Sequence, residues 1–222
     1  MQNRPCALLF DLDGTLVDTA PDLAAALNHT LRQHQRAALP VEHIRPVASY
    51  GAKGLIQLGF GLTPRDASFA SIRTQLLAYY QQHLYEHSRL FPGMAAVLAC
   101  LAAQQIPWGV VTNKPGWLTG PLLAGLQLAD QAAVVVSGDT CAHPKPDPAP
   151  VWYACDQLRL APSVTWYLGD AARDMLAGRA AGCVTIGAAY GYIHPDEQIV
   201  DWQADHIIQH PTDILSLLSS CQ

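Results

Sequence analysis

Charge is scarce in this chain. Only 14% of its 222 residues are charged, and the 13 basic side chains, outnumbered by 18 acidic ones, never gather into a run. A net charge of −5 without a basic patch argues against a nucleic-acid partner and leaves small molecules as the expected ligands. Long apolar runs are missing too. Half of the residues are hydrophobic, yet nothing approaches the roughly 18 consecutive apolar residues of a membrane span. The first apolar run reaches Asp11 almost at once, too soon for a secretory hydrophobic region. No Cys-x-x-Cys occurs. Cys6, Cys100, Cys141, Cys155, Cys183 and Cys221 are scattered, several in apolar runs, so reduced core thiols are expected rather than a metal cluster or disulfide framework. These absences together predict a cytoplasmic globular protein. The length allows one large domain, or a core with a smaller insert.

The chemistry begins at Ala7-Leu8-Leu9-Phe10-Asp11-Leu12-Asp13-Gly14-Thr15-Leu16. The apolar run reads as a buried strand of a parallel sheet. Gly14 lets the chain turn. Asp11 and Asp13 would then sit at the carboxyl end of a strand, where open α/β sheets bind ligands. Acids that close repel unless a cation lies between them, and Mg2+ with its oxygen ligands meets that need. Alone, the stretch fits equally well a strand followed by a solvated Asp-Gly turn.

Beyond Thr15 the pattern becomes helical. Pro21 suits a first helical turn, and Leu23, Leu27 and Leu31 recur at helical spacing. Ser49 to Leu55 reads as a glycine-rich turn entering another helix, and Ile72 to Tyr80 as a further one. No strand is predicted between Asp18 and Ser88. From Leu90 strands and helices alternate: strands at Trp108–Thr112, Ala133–Val136, Val164–Leu168, Cys183–Ile186 and His206–Ile208. Alternation means a parallel sheet covered on both faces. The predicted fold is α/β, a Rossmann-like core of residues 1–17 and 89–222 with an all-helical insert at 18–88.

Polar residues recur where these strands end. Thr112-Asn113-Lys114-Pro115 follows the second strand, Lys145 lies among prolines after the third, and Gly169-Asp170 with Asp174 follows the fourth. Singly, these could be helix caps or stiff loops. Four at one edge of one sheet point to a site.

In kind and order, Asp11/Asp13, Thr112, Lys145 and Asp170/Asp174 resemble the four motifs of the haloacid dehalogenase-like (HAD) phosphatases. The insert is similar to the helical cap of the phosphoglycolate phosphatase-like branch, as is Gly169-Asp170…Asp174…Gly178…Ala181-Gly182. The resemblance implies an aspartyl-phosphate mechanism with Mg2+ as cofactor. Asp11 would be the nucleophile and Asp13 the acid and base, its proton held by neighbours that raise its pKa. Thr112 and Lys145 would hold the phosphoryl oxygens, helped by Asn113. The metal would lie on Asp11, the Asp13 carbonyl and Asp170, with Asp174 in support. Ala171 departs from the pattern, where a polar residue is common, and implies one contact fewer around the metal. Tyr50 and Lys53 are expected to line the substrate pocket, and Arg65 and Arg73 to lie on the surface.

Leu90 to Met94, Trp108 to Pro115 and above all Tyr190-Gly191-Tyr192-Ile193-His194-Pro195-Asp196 resemble the bacterial N-acetylmuramic acid 6-phosphate phosphatases of cell-wall recycling. Phosphoglycolate phosphatases share much of this and are the alternative. A β-phosphoglucomutase-like transferase and a non-catalytic binding protein are more distant readings.

Overall fold

The computed structural model describes residues 4–220. Cys221, expected in the core, lies outside them. Strand β1 (Ala7–Phe10) is buried along its whole length. Leu8 and Phe10 pack on one face of the sheet and Leu9 on the other, the period of two of an extended chain. The chain then forms β2 (Val17–Asp18), α1 (Ala20–Gln33), α2 (Val41–Ile44), α3 (Gly51–Phe60) and α4 (Phe69–Gln82) before β3 (Arg89–Leu90). β2 and β3 pair antiparallel, Val17 opposite Leu90, a small ribbon that the sequence did not announce. Between them every described element is helical, as expected.

The remainder alternates: α5 (Met94–Ala103), β4 (Trp108–Val111), α6 (Gly116–Gly125), β5 (Val134–Val136), α7 (Ala149–Leu158), β6 (Thr165–Gly169), α8 (Ala172–Ala181), β7 (Val184–Ala188), β8 (His206–Ile208) and α9 (Asp213–Ser220). Six strands form one parallel sheet in the order β5-β4-β1-β6-β7-β8. Helices α7 and α8 cover one face through Val151, Ala154 and Ala177. Residues of α5, α6 and α9 cover the other, in a cluster continuous with the core of α1, α3 and α4. Each fully buried Leu or Phe of this kind contributes about 1.5–3 kcal/mol.

The order has a physical consequence. β1 is central, with β4 on one side and β6 on the other, so the chain leaves the middle in both directions. That switch point opens a crevice at the carboxyl ends of these strands. The connections to the helical insert cross here. Asp22, buried in α1, accepts hydrogen bonds from the N–H groups of His87 (3.0 Å) and Ser88 (2.9 Å) and from the Ser88 hydroxyl (2.6 Å). Arg45 clasps Asp18 through two bonds of 2.9 Å. The Tyr192 hydroxyl donates to Asp18 (2.7 Å) and accepts from the Ala20 N–H (2.8 Å).

The thiols correct one expectation. Cys155 and Cys183 are buried core groups, but Cys6 is exposed, and Cys100 and Cys141 are only partly covered. Cys6 precedes the first strand, where the chain has not yet entered the sheet. No described helix is long and apolar enough to cross a membrane.

Candidate active site

The four polar stretches meet at the crevice above β1. Asp11, 3% exposed, follows β1, and its N–H continues the ladder to the Leu168 carbonyl at 2.8 Å. One carboxylate oxygen each of Asp11, Asp170 and Asp174 lies within 4.8 Å of the others. Three buried acids this close strain against each other. Burial, with Asp11 and Asp174 nearby, pushes the Asp170 carboxyl up to about 7. Burial likewise raises Asp174, against the pull of Lys145. Asp170 is oriented by three donors: the Thr15 hydroxyl (2.9 Å), the Ser49 hydroxyl (2.7 Å) and the Tyr192 N–H (3.0 Å). Asp174 accepts from the Ala171 N–H at 3.1 Å, which also caps the start of α8. Gly14 adopts φ +89° beside this group, and a Cβ there would sit 2.1 Å from Asp170 Oδ2.

Lys145 closes the acidic centre from below. Its ammonium, 2% exposed as a residue, lies 3.0 Å from Asp11 and 2.7 Å from Asp174. It also donates to the Val111 carbonyl (2.7 Å) and the Tyr167 hydroxyl (2.8 Å). Asn113 holds the loop that delivers it: its carboxamide donates to the Lys145 carbonyl (2.9 Å) and accepts from the Lys145 N–H (3.0 Å). The Asn113 side chain thereby fixes the loop that carries Lys145. Thr112, 3% exposed, follows β4 and turns its hydroxyl to the Lys114 N–H (3.1 Å).

Asp13 sits apart from the three clustered carboxylates. Its Oδ1 accepts from the Thr19 hydroxyl (2.6 Å) and from the Lys114 ammonium (2.9 Å). A hydroxyl and a cation are thus its side-chain partners among the described residues. Lys114 also donates to the Tyr80 hydroxyl (2.9 Å). Burial alone would lower its pKa, but Asp13 and Tyr80 hold it above the ordinary lysine range. Burial pushes the Tyr80 hydroxyl up to about 12.

Asp11, Asp13 and Thr112 open into one cavity of about 780 Å3 between the sheet edge and the helical insert. Its far wall carries Tyr50, Lys53 and Arg73 from the insert and His194 from the segment after β7. Two side chains bridge the cleft. The Ser49 hydroxyl reaches Asp170, and Arg173 donates to the Ser49 carbonyl (2.9 Å) while lying 4.0 Å from Asp11. The Tyr50 hydroxyl donates to Glu197, and its ring meets His194 edge-on.

The haloacid dehalogenase-like hydrolase family matches residues 8–188. An N-acetylmuramic acid 6-phosphate phosphatase of Pseudomonas putida is 39% identical over 214 residues, 96% of each chain. A phosphoglycolate phosphatase of Xanthomonas campestris is 36% identical over 210 residues, 95% of each. Among solved structures, one described as a predicted phosphoglycolate phosphatase from Haemophilus somnus superposes with a TM-score of 0.83 at 29% identity, covering 98% of both chains. The chain belongs to the haloacid dehalogenase-like hydrolases.

In this hydrolase the sequence-predicted core residues converge: Asp11, Asp13, Thr112, Lys145, Asp170 and Asp174 surround one crevice. Asp174, expected only in support, has an oxygen among the three that could ligate a metal directly. Ala171 is buried and contributes its N–H alone. Of the insert residues, Lys53 and Tyr50 line the cavity, although the Tyr50 hydroxyl is engaged by Glu197. Arg65 is exposed as expected; Arg73 is exposed too, but its exposure is to the cavity. Sequence reasoning missed Ser49, Tyr80, Lys114, Arg173 and His194 as wall residues. All five stood inside stretches that were noticed, but nothing local marked them as wall residues.

Proposed function

We propose that this hydrolase is a Mg2+-dependent phosphomonoesterase acting on a small phosphorylated metabolite in the cytoplasm, with residues 18–88 as a cap over the core. The donor set supports the metal. Three buried carboxylates with oxygens within 4.8 Å of one another are a poor arrangement alone and a good one around a hard cation. When bound, Mg2+ would lie on Asp11, Asp170 and the Asp13 carbonyl and offset the charge of the phosphate.

The residues divide the work by position. Asp11, held by the Leu12 N–H (2.7 Å) and Lys145, is aimed at the cavity floor as nucleophile. Its carboxylate attacks phosphorus as the ester bond breaks. Asp13, on the cavity side, gives the leaving oxygen its proton and later takes one from the water that hydrolyses the aspartyl-phosphate. The Thr112 hydroxyl and Lys145 are placed to hold phosphoryl oxygens, with the Asn113 main chain beside them.

The substrate we favour is N-acetylmuramic acid 6-phosphate. The observation that carries this is the size and furnishing of the cavity. About 780 Å3 is within the range of sites for drug-sized ligands, far beyond what a two-carbon ester fills. Lys53, Arg73 and His194 stand on its far wall, where a lactyl carboxylate would lie. His194 belongs to the Tyr190–Asp196 stretch that suggested this substrate. The alternative is 2-phosphoglycolate, favoured by the names of relatives such as the Xanthomonas enzyme. The test compares kcat/KM for the two esters, with Lys53→Ala alongside. A pocket shaped for the sugar should favour it by several orders of magnitude, because unmatched polar groups are costly. A large preference for phosphoglycolate would reverse the assignment.

A further inference from the structure

The Thr112-Asn113-Lys114-Pro115 stretch contains a lysine that no step above uses. We propose that Lys114 is a positioning residue for Asp13, kept in place by Tyr80 of α4. The inference rests on Asp13 as proton donor and adds what aims it.

Asp13 is gripped on one side only. Both of its donors, the Thr19 hydroxyl and the Lys114 ammonium, act on Oδ1. Oδ2 has no protein partner among the described residues, and Asp13 lines the cavity. Two donors on one oxygen fix the plane of the carboxyl group and turn the other oxygen toward the substrate. The proton transferred is therefore the one on Oδ2: it passes to the leaving oxygen as the ester P–O bond breaks and the Asp11–phosphorus bond forms.

A lysine is a poor guide unless it is itself held, because its stem has four rotatable bonds. Here both ends are held. The main chain is fixed by the Gly138 N–H donating to the Lys114 carbonyl (2.8 Å) and the Lys114 N–H donating to Thr112 (3.1 Å). The ammonium meets the Tyr80 hydroxyl at 2.9 Å and lies 4.6 Å from the ring centroid, within cation–π range. Tyr80 is 1% exposed, packed into the core of the insert. The chain Tyr80–Lys114–Asp13 thus runs from the helical insert to the group that handles the proton. Lys114 is not itself a phosphate ligand in this arrangement, since it faces Asp13 and Tyr80 rather than the acidic centre.

The two roles separate by leaving group. A residue that aims the acid matters most where the leaving oxygen needs a proton, and least where it departs readily. A phosphate ligand matters equally for every ester. The experiment measures kcat/KM over aryl phosphates from phenyl to p-nitrophenyl, in Mg2+, for wild type, Lys114→Met, Tyr80→Phe and Asp13→Asn. This constant reads only through formation of the aspartyl-phosphate, so the later hydrolysis does not enter. Lys114→Met should lose on the order of 100-fold on phenyl phosphate and less than about 10-fold on p-nitrophenyl phosphate. Tyr80→Phe should tilt the series the same way by a smaller factor. An equal loss across the series in Lys114→Met, with the series tilted in Asp13→Asn, would overturn the proposal while leaving the function intact. An untilted series in Asp13→Asn would instead remove Asp13 as acid, and the proposal with it. Should Lys114→Met fail to fold by circular dichroism, Tyr80→Phe decides: a tilt supports the inference and an unchanged series refutes it.

Discussion

Replacing Lys145 by methionine tests the electrostatics of the site without reference to any substrate. The ammonium side chain is fully buried and faces two acids at 3.0 and 2.7 Å. Methionine fills most of the stem volume but brings no charge. Asp11 would keep the Leu12 N–H at 2.7 Å and Arg173 at 4.0 Å, and Asp174 the Ala171 N–H at 3.1 Å and the Tyr167 hydroxyl at 3.2 Å. Removing one partner from a buried ion pair costs about 3–5 kcal/mol. For a protein of this length that lowers Tm by roughly 6–20 °C. The cost must depend on pH. Carboxylates stripped of their cation escape by taking up protons, so the deficit should shrink as pH falls from 8 to 5. Burial already raises Asp174 even beside Lys145, and losing the cation raises it further. The assay is thermal unfolding by circular dichroism in EDTA at both pH values, with exposed Lys53→Met as a control expected to stay within about 0.5 kcal/mol. A Lys145→Met protein melting within about 2 °C of wild type at pH 8, or with a deficit unchanged at pH 5, would refute this account of the site.

Asp11→Asn should abolish turnover and leave the melting curve near wild type, because the amide is isosteric and cannot form the acyl phosphate; more than a few per cent of residual rate in clean protein would rule out Asp11 as nucleophile. Activity should disappear in EDTA and return with Mg2+, whereas Ca2+ should bind and support little turnover because its larger, looser shell misplaces the attacking carboxylate; undiminished activity after exhaustive chelation would remove the metal from the mechanism. The Asp170 carboxyl, pushed up to about 7, should make the metal-free protein less stable as pH rises from about 4 towards 7, since folding takes up a proton there. Denaturant unfolding in EDTA at several pH values measures the trend, and it should flatten in Asp170→Asn; a trend of equal slope in that variant would assign it to other groups.

The core site was legible because each of its parts is announced locally. An apolar run ending in acids, a strand ending in Thr-Asn-Lys-Pro and a Gly-Asp before a helix each mark a strand end, and a parallel sheet brings all its strand ends to one edge. Helix and strand positions followed from periodicity for the same reason. The ribbon β2/β3 escaped because two-residue strands carry no periodicity. The partner of Asp13 was not legible either: its side chain bonds to a lysine 101 positions away, a contact that no local pattern announces.

That separation explains why the substrate end of the cavity stayed obscure. Its wall is assembled from α3, α4, the turn after β4 and the segment after β7, which share no local pattern. Lys53 and His194 line one cavity because contacts close the two ends of the insert on each other and tie them to the core. Asp22 receives the returning chain at His87 and Ser88, Arg45 clasps Asp18, and Tyr192 ties Asp18 and Ala20 to the loop that carries His194. The same loop presents the Tyr192 N–H to Asp170, so one segment contacts both the acidic centre and the substrate wall. A change in the length or packing of that loop would displace His194 and the N–H that Tyr192 gives to Asp170 together. Chemistry and specificity are in this way mechanically joined in the chain, although no motif in the sequence spans them.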